Sequence, residues 1–73
     1  MKVTGKIEQK GFGFGVWALV TADGTTYELQ DYPTELEQEG LAVEIEGEIR
    51  EDVMTTAMIG QVLAVKSYQR LDN

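Results

Sequence analysis

The sequence predicts an all-β domain of five strands closing into a small barrel, with one short helix between the third and fourth strands. Three observations predict it. Residues 2–8, 25–30 and 41–49 alternate apolar and polar side chains with period two, the pattern of a strand that buries one face. Residues 11–20 and 57–67 are more apolar, and their β-branched and aromatic content favours extended structure over helix. Residues 31–40 read differently from either, with a proline, several carboxylates and a closing glycine.

Taken in order, the first strand places Val3, Gly5 and Ile7 on one face and Lys2, Thr4, Lys6 and Glu8 on the other. The second strand, over 11–20, is apolar on both faces. Ala22-Asp23-Gly24-Thr25 interrupts it; Asp-Gly between two strand-like runs signals a tight hairpin in which both turn residues take positive φ. In the returning strand Tyr27 and Leu29 share one face, and Thr26, Glu28 and Gln30 the other. Pro33 suits the first turn of a short helix, the early carboxylates suit its positive end, Asp31 is expected to cap it, and Gly40 to end it. The fourth strand sets Leu41, Val43, Ile45, Gly47 and Ile49 against Ala42, Glu44, Glu46 and Glu48. A polar loop over 50–56 then leads to the last strand. Residues 68–73 are polar; one domain is expected over 1–70, with 71–73 a tail that frays.

Composition narrows the function classes. A chain of 73 residues buries a modest share of its surface, about 60%, so its apolar residues are needed for the core. The lack of cysteine points to a reducing compartment, the cytoplasm. With histidine also absent, most zinc ligands and most nucleophile–base pairs are missing, so neither a metal, a cofactor nor an enzymatic activity is expected. Residues 1–6 are not followed by the apolar stretch of about 7–15 residues that marks a secretion signal. No apolar run approaches the ~20 residues of a membrane span, so no membrane association is expected. The net charge of −7, from 13 acids against 6 bases, opposes phosphate backbones and anionic membranes at long range.

The order of three strands, a short helix and two strands carries Gly5 in the first strand, then Trp17-Ala18-Leu19, Asp23-Gly24, Tyr27-Glu28-Leu29, Gly40, Val43-Glu44-Ile45-Glu46-Gly47 and Gly60. This pattern resembles small uncharacterised bacterial OB-fold proteins, whose fold is a five-stranded Greek-key barrel. The resemblance implies that the first strand pairs with the fourth and that ligands meet the outer face of the second and third strands. It implies no particular activity.

Lys10-Gly11-Phe12-Gly13-Phe14 resembles the RNA-binding motif of cold-shock domains, which are OB-type barrels themselves. That resemblance implies Phe12 and Phe14 stacking on exposed bases, at about 1–3 kcal/mol per base, with Lys10 meeting a phosphate. The first strand has Lys6-Ile7-Glu8-Gln9 where that family has a lysine–tryptophan pair followed by an aromatic, and the third has Thr26-Tyr27-Glu28-Leu29 where it has an aromatic motif with a histidine.

From the residues themselves, two placements of Phe12 and Phe14 stand open. A glycine-borne bulge turns them into the barrel. Without a bulge, Trp17 and Leu19 face the core, and Phe12, Phe14, Val16, Ala18 and Val20 form an outer apolar stripe that asks for a partner. The glycines here do not have dinucleotide-binding spacing. Lys2, Lys6 and Lys10 are expected to face the Glu44, Glu46 and Glu48 stripe across the first and fourth strands. Glu51-Asp52 reads as a solvated loop, and Met54 and Met58 as filling for one end of the barrel.

The sequence therefore points to a non-enzymatic binding or interaction module with a protein partner or a second copy of itself. Single-stranded nucleic acid is the alternative. The candidate contact residues are Lys10, Phe12, Phe14 and Val16.

Overall fold

Five strands make up the sheet: β1 (Lys2–Lys10), β2 (Val16–Val20), β3 (Thr26–Gln30), β4 (Ala42–Arg50) and β5 (Gln61–Arg70). A 3-10 turn, Thr34–Leu36, lies between β3 and β4. The structure, a computed structural model, describes residues 1–10, 16–52 and 59–71. The strands follow one another round a ring in the order β1-β2-β3-β5-β4, and β4 returns to β1. Neighbours are antiparallel except β3 and β5, which run parallel. The result is a mixed, ring-like all-β sheet consistent with an OB-like fold.

β1 serves two neighbours in succession. Its first half, Lys2 to Lys6, pairs with β4, and its second half, Lys6 to Lys10, pairs with β2. The alternation along β1 decides what the ring encloses. Val3 and Ile7 point inward and join Leu19, Leu29, Leu41, Val43, Ile45, Leu63 and Val65 in one buried cluster. Trp17, Tyr27, Ile49 and Tyr68 pack half-buried against it. Leu36, delivered by the 3-10 turn, is fully buried in the same cluster, so a three-residue element supplies an apolar group that no strand supplies.

The hairpin after β2 differs from the expected two-residue turn. Gly24 N–H donates to the Thr21 carbonyl at 3.0 Å, and Thr21 N–H donates to the Thr25 carbonyl at 2.9 Å. This is a three-residue loop closed by a left-handed residue, in which Gly24 alone has positive φ (90°) and Asp23 does not. Asp23 instead uses its carboxylate, which accepts from the Thr21 hydroxyl and, at 3.1 Å, from Thr25 N–H. These bonds, the Thr21 hydroxyl foremost, hold the Asp23 carboxyl below its ordinary range.

The helical segment after β3 is a single 3-10 turn and is capped otherwise than expected. Asp31 takes a left-handed conformation (φ 56°), which aspartate tolerates better than most residues, and it turns the chain out of β3. It does not cap the turn. Pro33 holds the N-cap position, with no side-chain cap, and its carbonyl accepts from Leu36 N–H at 3.0 Å. At the far end Gly40 N–H donates to the Ile7 carbonyl at 2.7 Å, and Ile7 N–H donates to the Leu41 carbonyl at 2.8 Å, which ties the segment to β1.

The last strand also differs from its expected span. It begins at Gln61 and continues through Arg70, because β4 offers paired backbone as far as Val43↔Arg70. Gln69 and Arg70 are exposed, which is why the stretch from Tyr68 onward read as polar tail. Residues 11–15, expected in the second strand, and 53–58, which include Met54 and Met58, lie outside the described residues.

Candidate functional site: the outer face of β2

Register fixes which side chains of β2 look outward. Ile7 pairs with Leu19, and Leu19 with Tyr27, all on the core side. Alternation then turns Val16, Ala18 and Val20 to the outside. Opposite them on β1 stand Lys10, Glu8 and Lys6 respectively. The outer face of β2 is thus apolar throughout, whereas β1 and β4 present mainly charged or hydroxylated residues outward.

The stripe is not uniformly open. Ala18 looks outward yet is fully buried. Its β3 neighbour Glu28 is only 9% exposed, and Val62, next in line on β5, only 5%. Ala64, beside Gln30, is buried as well. The centre of the outer face across β2, β3 and β5 is therefore already covered within the chain, and Val16 and Val20, both half-buried, flank the covered part. The unbroken Val62-Leu63-Ala64-Val65 run, buried on both faces of β5, is the sequence signal for this second layer.

The polar groups around this face are specific. Lys10 Nζ lies 3.2 Å from Glu8 Oε1, so its charge is partly engaged. Gln30 Oε1 is buried and, among the described residues, meets no hydrogen-bond donor. A buried acceptor without a donor costs about 1–3 kcal/mol. Arg50, opposite Val62, donates from Nε and Nη2 to the two carboxylate oxygens of Asp52, each at 3.3 Å. That pairing raises Arg50 above, and holds Asp52 below, their ordinary ranges. At the 3-10 turn, burial and the bond from Tyr32 Oη to Glu37 Oε2 (3.2 Å) raise the Tyr32 phenol.

Of the four residues expected from the sequence, the structure places Lys10 and Val16 as Cα partners at the end of the β1–β2 ladder. Phe12 and Phe14 lie outside the described residues. The expected lysine–glutamate ladder forms in part. Lys2 stands opposite Glu46, but Lys6 stands opposite Ala42, and Lys10 lies beyond the β4 pairing. Glu48 instead pairs with Lys66 at 3.3 Å. Among the described residues, no group of three or more acidic side chains is arranged to hold a metal ion. No described helix is long and apolar enough to cross a membrane.

Compared with models of known protein families, with curated proteins and with solved structures, the chain matches none.

Proposed function

We propose that this chain is a non-enzymatic interaction module on an OB-type Greek-key barrel, and that it meets a protein partner through the outer face of β2. Lys10, Phe12, Phe14 and Val16 would form the contact, and a second copy of the chain is the partner proposed. The observation that carries this reading is the orientation of β2. Trp17 and Leu19 serve the core, which leaves Val16 and Val20 as half-buried apolar side chains of the outer face on either side of the covered Ala18.

Single-stranded nucleic acid is the second reading, favoured by Lys10-Gly11-Phe12-Gly13-Phe14 alone. Glu8 and Glu28 on the same face, and the net charge of −7, weigh against it.

Sedimentation velocity separates the two readings. The wild-type chain at moderate salt, where like charges are screened, is expected to shift from monomer to dimer as concentration rises. Phe12→Ala with Phe14→Ala is expected to remain monomeric. A wild-type chain that stays monomeric overturns the self-association reading. If that monomer also binds oligothymidine with salt-sensitive affinity, the nucleic-acid reading replaces it.

A further inference from the structure

We propose that the outer surface of β1 carries a cleft for a small apolar monocarboxylate, which borders the proposed β2 contact and shares Val20 with it. Lys6 has Val20 of β2 as its Cα partner on one side and Ala42 of β4 on the other. Around it opens a cleft of about 480 Å³. That size lies within the roughly 300–1,000 Å³ of small-molecule sites. Val20 and Ala22 form one wall, and Ala42 and Leu71 the other. Leu71 is 44% exposed, and only Met1 among the large apolar side chains described is more exposed. A ligand with an apolar body would cover it.

The polar groups select the charge of that ligand. Among the described residues Lys6 forms no ion pair. Glu8 also lines the cleft, and its carboxylate is engaged by Lys10 at 3.2 Å. Thr4 adds a hydroxyl and a main-chain N–H that no described strand takes up. The reason is parity. Met1 and Ile7 bond to Gly47 and Leu41 of the β4 side, so the odd positions of β1 point their backbone groups toward β4. The even positions point the other way, and β2 pairing reaches no further than Lys6. Thr4 therefore keeps its donor. A carboxylate here accepts from the Lys6 ammonium and the Thr4 N–H. Glu44, directly opposite Thr4, adds negative charge beside the cleft that the Lys6 ammonium has to outweigh, and it disfavours a ligand with a second carboxylate further still.

The test is a titration of the full chain with octanoate and, in parallel, octan-1-ol, followed by amide chemical shifts. Octanoate is expected to shift Thr4, Lys6, Val20, Ala22, Ala42 and Leu71 saturably, and octan-1-ol to bind roughly tenfold more weakly for want of the charge-assisted bonds. Lys6→Gln is expected to bring octanoate down to the octan-1-ol level. Leu71→Asp, at an exposed position, is expected to abolish octanoate binding while keeping a dispersed spectrum. The absence of saturable shifts in the wild type overturns the proposal. So does equal affinity for the two probes, or undiminished octanoate binding by Lys6→Gln.

Discussion

The β-carbon that Gly47 lacks would stand inside the van der Waals surface of the Ala64 carbonyl oxygen. The close approach falls where the β4–β5 register shifts, with Glu46 opposite Ser67 and Gly47 opposite Val65, so that Lys66 is left unopposed. This bulge bends the longest ladder of the ring. Gly47→Ala is expected to cost about 1–3 kcal/mol, because the neighbouring atom is backbone and has no rotamer in which to move away. Chemical denaturation checks it. A midpoint unchanged from wild type contradicts the tight crossing.

Leu36 tests the role of the 3-10 turn. It is fully buried and belongs to the core cluster. Leu36→Ala is expected to cost about 2–5 kcal/mol, a large share of the roughly 5–15 kcal/mol that holds a typical domain together. If thermal melting shows a loss no larger than that of an exposed substitution, the turn does not close the core in solution.

Two substitutions probe the covered outer face and are expected to act in opposite directions. Ala18→Leu adds volume where no exposed surface remains, and is expected to destabilise by about 1–3 kcal/mol. Gln30→Met removes the donor-less acceptor while keeping similar shape, and is expected to leave stability equal or to raise it by about 1 kcal/mol. A neutral Ala18→Leu means that the position is open. A destabilising Gln30→Met means that the amide is paired in solution.

The alternation in β1 and β4 was legible because each has one polar face, and that alone assigned Val3, Ile7, Val43 and Ile45 to the core. Ala18 was harder to place. An alanine in an apolar run carries no sign of which face it is on, or of whether that face is covered. The hairpin position was legible from Asp23-Gly24, but its geometry was not. Asp-Gly is compatible with more than one loop length, and the Thr21 hydroxyl, which holds the Asp23 carboxylate, is contributed from outside the dipeptide. Arg70 and its neighbours read as a tail because their side chains are polar, whereas their inclusion in β5 is decided by backbone pairing with Val43 and Glu44. Leu71 beside Lys6 was not legible at all, since only the ring brings the two ends of the domain together.

The Asp23 carboxylate gives a pH dependence with a definite sign. Its folded pKa is depressed, so its contribution to stability is fully present above the ordinary aspartate value and is lost as pH falls through the lower folded value. The window therefore opens at about pH 4 and extends downward. A carboxyl-detected NMR titration is expected to place Asp23 and Asp52 below the ordinary aspartate value, with Thr21→Val returning Asp23 toward it and leaving Asp52 unmoved. An Asp23 that titrates normally in the wild type contradicts the hairpin bonding.

The most direct test of the proposed β2 interface is an isotope-filtered NOE measurement on a mixture of labelled and unlabelled chain at a concentration that favours association. Intermolecular contacts at the Val16 and Val20 methyls are the predicted result, with the methyls of Leu19 and Ile7 silent because they belong to the core of each copy. A mixture with no intermolecular contacts, or with contacts confined to residues away from β2, would contradict the proposal that this face is where the chain meets its partner.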